Sequence, residues 1–219
     1  MTAKVKICGL KTKPAIDAAL AEGADYLGLV FYPKSPRHLD VEMAGDLAAH
    51  ARETGTAMIV ALMVDPSDEA IARVLQAVNP DIIQLHGHEP LERVRQVRRL
   101  SQRPIIKALS VRTRADVSAA VGYLEPGAAD IVLFDAKPPA GRQALPGGNG
   151  LAFDWTILDA AVLDVPFALA GGLTPQNVQE AIKRTRAAIV DVSSGVESAP
   201  GVKDADLIRL FIRNAKTAK

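Results

Sequence analysis

The sequence has 219 residues, 48% of them hydrophobic and 4% aromatic, with a formal net charge of +1. A chain of this length and composition can bury a sizeable core, and a charge so close to zero gives no electrostatic case for binding nucleic acid or an anionic membrane surface. The single cysteine, Cys8, excludes an intrachain disulfide framework. No apolar run approaches the ~20 residues of a membrane span, and no secretory signal is recognisable, so we expect a cytoplasmic protein.

Short apolar segments rich in Val and Ile alternate along the chain with longer segments of helical spacing. We predict eight strands, which occupy residues 5–8, 25–31, 57–64, 81–86, 104–110, 130–135, 166–170 and 187–193. The predicted helices occupy residues 13–22, 41–53, 66–78, 90–100, 114–124, 154–161, 175–183 and 204–215. Pro66, Pro90 and Pro175 stand in or near the first turns of three of these helices, where a missing N–H is harmless.

This repeated strand–helix unit predicts a closed (β/α)8 barrel of the TIM-barrel type, formed by a single α/β domain over residues 1–219. An open doubly wound sheet is the alternative. The longest predicted loop, KPPAGRQALPGGNG at 137–150, follows the sixth strand. It therefore belongs to the functional face of a barrel and is not an interdomain linker.

Polar residues and glycines collect where the predicted strands end, which is where barrel enzymes place their active sites. The residues at these ends include Cys8, His86, Asp135, Gly171, Gly172, Asp191, Ser193, Ser194 and Gly195. The alternation of side chains along a strand places Lys6 with Cys8, and Gln84 with His86, on the interior face. For Asp135 both faces of the strand are apolar, so the pattern does not orient it.

Cys8 and Asp135 are candidates for acid–base chemistry. As a general base, Cys8 requires a thiol pKa lowered from ~8.5 by positive charge or backbone amides. As a general acid, Asp135 requires a pKa raised by desolvation. The alternatives are inert packing for Cys8 and a loop-capping carboxylate for Asp135.

Three glycine-rich loops predict phosphate binding, because backbone N–H groups approach an anion closely where Cβ is absent. The candidate residues are Gly148, Asn149, Gly150, Gly171, Gly172, Ser193, Ser194 and Gly195. Ordinary turn glycines are the alternative. Arg37 can bind a carboxylate through two parallel hydrogen bonds or be a solvated loop residue, and His86 can contact ligand or be a core imidazole. No metal-ligand spacing, P-loop or dinucleotide motif is present.

The motifs KICGL, FYPKSPRH, QLHG, LFDAK, GGNG, LAGGLTPQNV and DVSSGVE, in this order over the whole chain, resemble phosphoribosylanthranilate isomerases. The resemblance implies a (β/α)8 barrel and an Amadori rearrangement of a phosphosugar in tryptophan biosynthesis, without a cofactor. It makes Cys8 the general base and Asp135 the general acid. Arg37 would hold the anthranilate carboxylate, and the glycine loops would hold phosphate. We also predict that His86 and Asp191 contact substrate. The family often has GGTG where this chain has GGNG.

Three other functions share parts of this pattern. A histidine-pathway sugar isomerase would share the fold but use an aspartate as the first-strand base, which Cys8 disfavours. A metal-dependent epimerase lacks its expected ligands, and a non-catalytic phosphosugar-binding barrel would need neither Cys8 nor Asp135. We expect no nucleic acid or membrane partner, and either a monomer or a homodimer.

Overall fold

The computed structural model describes residues 2–136, 154–158 and 165–218. Eight parallel strands form a closed barrel in sequential order, each pairing with the next and the eighth pairing with the first. They are β1 Lys4–Cys8, β2 Tyr26–Phe31, β3 Met58–Met63, β4 Ile82–Leu85, β5 Ile105–Val111, β6 Ile131–Ala136, β7 Ala168–Leu169 and β8 Ile189–Val192. The predicted barrel is confirmed, and the open doubly wound sheet is wrong.

Helices surround this barrel close to the predicted positions. They are α1 Lys13–Ala21, α2 Val41–Thr54, α3 Asp68–Val78, α4 Leu91–Ser101, α5 Arg114–Ala120, α6 Val178–Thr185 and α7 Ala205–Thr217. The predicted helix 114–124 continues from α5 as a 3-10 turn over Val121–Leu124. The predicted helix 154–161 is a 3-10 turn over Trp155–Leu158 in its described part. No helix of the described residues is long and apolar enough to cross a membrane.

Local capping explains where two helices begin later than predicted. Ser67 caps α3, since its side chain accepts a hydrogen bond from the Ala70 N–H and Pro66 therefore lies outside the helix. Before α6, the Asn177 side chain accepts from the Thr174 N–H at 2.8 Å. This turn keeps Pro175 outside α6, which starts at Val178.

One hairpin was not predicted. After β8 a 3-10 turn at Ser194–Val196 leads into β9 Glu197–Ala199, which pairs antiparallel with β10 Val202–Lys203. The prediction runs from the eighth strand directly to the last helix. The hairpin strands have three and two residues, too short to show an alternating pattern.

The barrel interior has two different layers. The layer toward the strand starts is an apolar cluster that includes Tyr26, Val60, Ile82, Leu133 and Ile189. The layer toward the strand ends contains the buried polar side chains of Lys6, Gln84, His86, Asp135 and Asp191. Buried polar groups need partners or a ligand, so the interior itself indicates which end of the barrel carries the site.

Candidate active site

Cys8 ends β1 beside a buried ion pair formed by the first and last strands. The β1–β8 register places Lys6 opposite Asp191, and Lys6 Nζ donates to the two Asp191 oxygens at 3.1 and 3.0 Å. A Cβ at Gly28 on β2 would lie 3.0 Å from Cys8 Sγ and 3.1 Å from Lys6 Nζ. The interior position predicted for Lys6 and Cys8 is therefore confirmed, and a glycine on the neighbouring strand makes room for both side chains.

The pKa of the Cys8 thiol is set by burial acting against nearby charges. Burial raises the pKa of the Cys8 thiol, and although the ammonium groups of Lys6 and Lys203 oppose this, they do not outweigh it. Burial also disfavours the charge on Lys6, but Asp191 and Cys8 outweigh it and raise the pKa of Lys6. The described surroundings of Cys8 therefore do not produce the lowered pKa that a general base would require, because desolvation exceeds the attraction of the cations.

Asp135 at the end of β6 faces the interior beside His86. Its Oδ1 accepts from the adjacent Ala136 N–H at 2.8 Å, while Oδ2 lies 3.4 Å from His86 Nε2. Gln84 Nε2 lies 3.5 Å from His86 Nδ1. Within the described residues, His86 Nε2 and Gln84 Oε1 are buried without a hydrogen-bond partner. These two buried atoms therefore have hydrogen-bonding capacity that the described residues do not use.

Arg37 is buried and paired, so the solvated-loop interpretation is wrong. Its Nε and Nη2 donate to Oε1 and Oε2 of Glu197, both at 2.7 Å. No described residue accepts a hydrogen bond from Nη1, so one edge of the guanidinium remains available. Gly9 has φ +80°, and a Cβ there would lie 2.6 Å from Arg37 Cδ. Gly9 therefore clears space for Arg37, the residue proposed to hold a ligand carboxylate.

Two site residues were missed by the sequence analysis. Glu197 belongs to the SSGVE segment, of which only the two serines and the glycine were named as candidates, and Lys203 lies in the unpredicted hairpin. Lys203 Nζ donates to Glu197 Oε1 at 2.7 Å and to the Ser193 carbonyl at 2.9 Å. The only sequence signal was the position of both residues just after the last strand. Arg37, which pairs with Glu197, lies 160 positions away along the chain.

The loops after β7 and β8 meet at the mouth. Gly171 and Gly172 have φ +83° and +64°, and neither N–H donates a hydrogen bond to another described residue. A Cβ at Gly195 would lie 1.9 Å from the Leu173 carbonyl oxygen, so the two loops pack closely only with glycine there. Ser193 Oγ donates to the Cys8 carbonyl at 3.1 Å, which joins this region to β1. The predicted residues Gly148, Asn149 and Gly150 lie outside the described residues.

A second buried ion pair supports the loop that follows His86. Lys107 Nζ lies 2.6 Å from Glu89 Oε2 and donates to the Gly87 carbonyl at 2.8 Å. Glu89 also accepts from the Asp65 N–H at 2.8 Å. The sequence signal was a lysine in the middle of the apolar segment PIIKALS, since a charge in a covered strand needs a partner.

No group of three or more His, Cys, Asp or Glu side chains able to hold a metal ion is found within residues 2–136, 154–158 and 165–218.

Comparison with known proteins identifies the family. Residues 5–214 match the family model for N-(5'-phosphoribosyl)anthranilate (PRA) isomerase. The chain belongs to the PRA isomerase family. It is 51% identical over 219 residues to an N-(5'-phosphoribosyl)anthranilate isomerase of Rhodopseudomonas palustris, covering 100% of this chain and 98% of that protein. The family resemblance read from the sequence is confirmed.

Solved structures agree with this family assignment. A phosphoribosyl anthranilate isomerase from Thermotoga maritima is 36% identical, with a TM-score of 0.85 and 98% of each chain covered. A second structure of this family, in complex with reduced 1-(o-carboxyphenylamino)-1-deoxyribulose 5-phosphate, is 35% identical with a TM-score of 0.82 and 98% coverage of each chain.

Proposed function

We propose that this chain converts N-(5'-phosphoribosyl)anthranilate to 1-(2-carboxyphenylamino)-1-deoxyribulose 5-phosphate, an Amadori rearrangement in tryptophan biosynthesis. The family assignment supports the reaction. The observation that supports the assignment of roles is the placement of Cys8 and Asp135 at one barrel mouth, with anion-binding groups nearby. A small-molecule phosphosugar is the ligand that such a mouth would take.

Asp135 acts as the general acid in this proposal, and Cys8 as the general base. Asp135 protonates the ring oxygen of the furanose, and the ring opens to a Schiff base. Cys8, as the thiolate, then removes the proton from C2 of the sugar, and the resulting enolamine tautomerises to the ketose product. Burial that raises the pKa of Cys8 makes the thiolate a stronger base once it forms, and Lys6 favours that formation.

Binding at both ends of the substrate places the reacting carbons between acid and base. The free Nη1 edge of Arg37 fits the anthranilate carboxylate. The N–H groups of Gly171 and Gly172, with the Ser193–Gly195 turn, suit the phosphate. We assign Gly148, Asn149 and Gly150 to the same phosphate site from the sequence. Two anchored ends fix the orientation in which proton transfer is fast.

His86 and Asp191 complete the proposed substrate contacts. His86 Nε2 is buried 3.4 Å from Asp135 and has no hydrogen-bond partner among the described residues, so it can exchange a hydrogen bond with a sugar hydroxyl near the acid. Asp191 pairs with Lys6 and so keeps the ammonium group beside the base, Cys8. Its carboxylate can also accept a hydrogen bond from a sugar hydroxyl that reaches this depth of the barrel.

The test follows loss of the fluorescent substrate in purified variants. We expect Cys8→Ala and Asp135→Asn each to lower kcat by ~10²–10⁴-fold, since each removes a proton-transfer group. Both variants should still bind the reduced product analogue. Asp46→Asn, an exposed aspartate on α2, serves as the matched control and should keep its kcat. Turnover near that of the wild type in either site variant would show that the assigned role is wrong.

A further inference from the structure

Arg37, Glu197 and Lys203 form a buried group of two cations and one anion, which we call the Glu197 cluster. Their side chains are 6%, 4% and 2% exposed. We propose that Glu197 and Lys203 are positioning residues: Glu197 sets the Arg37 edge that receives the substrate carboxylate, and Lys203 supports both Glu197 and the Cys8 thiolate. This inference rests on the proposed function and assigns roles to two further residues.

Glu197 determines which part of Arg37 is free. Its two oxygens take the Nε and Nη2 donors of the guanidinium at 2.7 Å each, in a bidentate pair. Such a pair fixes the plane of the guanidinium as well as its position. The remaining Nη1 donors then point away from Glu197 along the same plane. Loss of the Glu197 charge would leave a buried Arg37 free to rotate, so the carboxylate site would lose its geometry.

The charge balance of the Glu197 cluster favours an anionic ligand. Buried charges are normally paired, and here one carboxylate serves two cations. Within the described residues, no carboxylate other than Glu197 accepts a hydrogen bond from Arg37 or Lys203. A ligand carboxylate on the free edge of Arg37 would give each cation an anionic partner. The site should therefore distinguish a carboxylated aromatic amine from its uncharged counterpart.

Lys203 connects the Glu197 cluster to the base. Its Nζ bonds Glu197 Oε1 at 2.7 Å and the Ser193 carbonyl at 2.9 Å, and Ser193 Oγ bonds the Cys8 carbonyl at 3.1 Å. The charge of Lys203 also acts to lower the pKa of Cys8 against the effect of burial. Lys6 shares this effect, but its charge is already matched by Asp191.

The binding experiment uses two analogues measured by calorimetry: reduced 1-(o-carboxyphenylamino)-1-deoxyribulose 5-phosphate and the same compound without its carboxyl group. Glu197→Gln adds to the excess positive charge of the cluster, but it also removes the bidentate pair that orients Arg37, and we expect the loss of orientation to dominate. Affinity for the carboxylated analogue should therefore fall by ~10-fold or more, as expected for disturbing a charged hydrogen bond, and affinity for the other analogue should not change. Equal weakening of both analogues, or of neither, would overturn the role of Glu197.

A second variant keeps this test informative if Glu197→Gln does not fold. Glu197→Asp retains the charge but withdraws the carboxylate by one methylene, so it should show the same selective loss for the carboxylated analogue. A uniform loss would overturn the proposal. If the wild-type chain binds neither analogue, the proposed function itself fails, while the thiol measurement described next still stands.

The thiol experiment follows the rate of Cys8 alkylation by iodoacetamide against pH. Cys8 is the only cysteine in the sequence, so the modified fraction reports this residue alone. Lys203→Met should move the midpoint of the profile upward by about one pH unit, and Lys203→Arg should restore it. Lys216→Met, which removes a lysine paired with Asp25 at 2.7 Å, is the matched control. An unchanged midpoint in folded Lys203→Met would overturn the role of Lys203.

Discussion

Two buried lysine–carboxylate pairs lie on opposite sides of the barrel wall. Lys6 and Asp191 face the interior, 3.0 Å apart with side chains 1% and 7% exposed. Lys107 and Glu89 face the surrounding helices, 2.6 Å apart and each 1% exposed. Removing either pair from water carries a similar desolvation penalty. Their neighbours differ: a thiol and unpartnered polar groups surround the first pair, whereas loop backbone surrounds the second.

This difference shows that burial of an ion pair does not identify its role. Lys107 donates to the Gly87 carbonyl and pairs with Glu89, which in turn accepts from the Asp65 N–H. The outer pair therefore fixes the loop after β4. The inner pair places the Lys6 ammonium beside Cys8, and Asp191 and Cys8 raise the pKa of Lys6 despite burial. One pair maintains structure, and the other determines the electrostatics of the site.

The largest expected effect comes from breaking each pair in turn. Lys6→Met and Lys107→Met should each lower the free energy of unfolding by ~3–5 kcal/mol, because each leaves an uncompensated buried carboxylate. Only Lys6→Met should also lower kcat, by ~10²–10³-fold, since it removes a charge that favours the thiolate. Urea unfolding and steady-state kinetics measure the two quantities. An equally large kcat loss in folded Lys107→Met would contradict this separation of roles.

An intermediate effect is expected at two glycines that need a positive φ. Gly9 and Gly23 have φ of +80° and +77°, but only a Cβ at Gly9 would meet neighbouring atoms within 4 Å. Gly9→Ala and Gly23→Ala should each cost ~1–3 kcal/mol of backbone strain. Gly9→Ala should in addition raise KM by displacing Arg37, and Gly23→Ala should not. Thermal unfolding and KM values separate the two effects, and an unchanged KM in Gly9→Ala would remove the link to Arg37.

The smallest expected effect is on how the free energy of unfolding depends on pH, through the carboxyl group of Glu197. Burial acts to raise the pKa of Glu197, but the hydrogen bonds and charges of Arg37 and Lys203 outweigh it and lower that pKa. The ionised carboxylate therefore contributes stability that is fully present above its unfolded pKa of ~4.3 and is lost as the pH falls through the lower folded value. The stability difference between wild type and Glu197→Gln should shrink on acidification, as urea unfolding over a pH series would show. A constant difference would contradict this assignment.

The barrel could be predicted from the sequence. Strands that are buried on both faces appear as short apolar segments, and eight of these alternate with longer segments of helical spacing. Sequence patterns also predicted the inward direction of Lys6 and Cys8. They could not predict that Arg37 pairs with Glu197, since that contact depends on how distant loops meet. The direction of the Cys8 pKa shift could not be predicted for a similar reason: it depends on the balance between desolvation and the distances to nearby charges, which residue order does not contain.

The pairing of β1 with β8 has a consequence for assembly of the site. Lys6 and Asp191 are separated by 185 positions, as are Ser193 and Cys8, so the environment of Cys8 is assembled only when the last strand docks on the first. Before that moment the chain carries an ordinary exposed thiol, and afterwards a shielded one. The chemical reactivity of a single sulfur atom should therefore report the closing of the barrel, in the same event that assembles the proposed site.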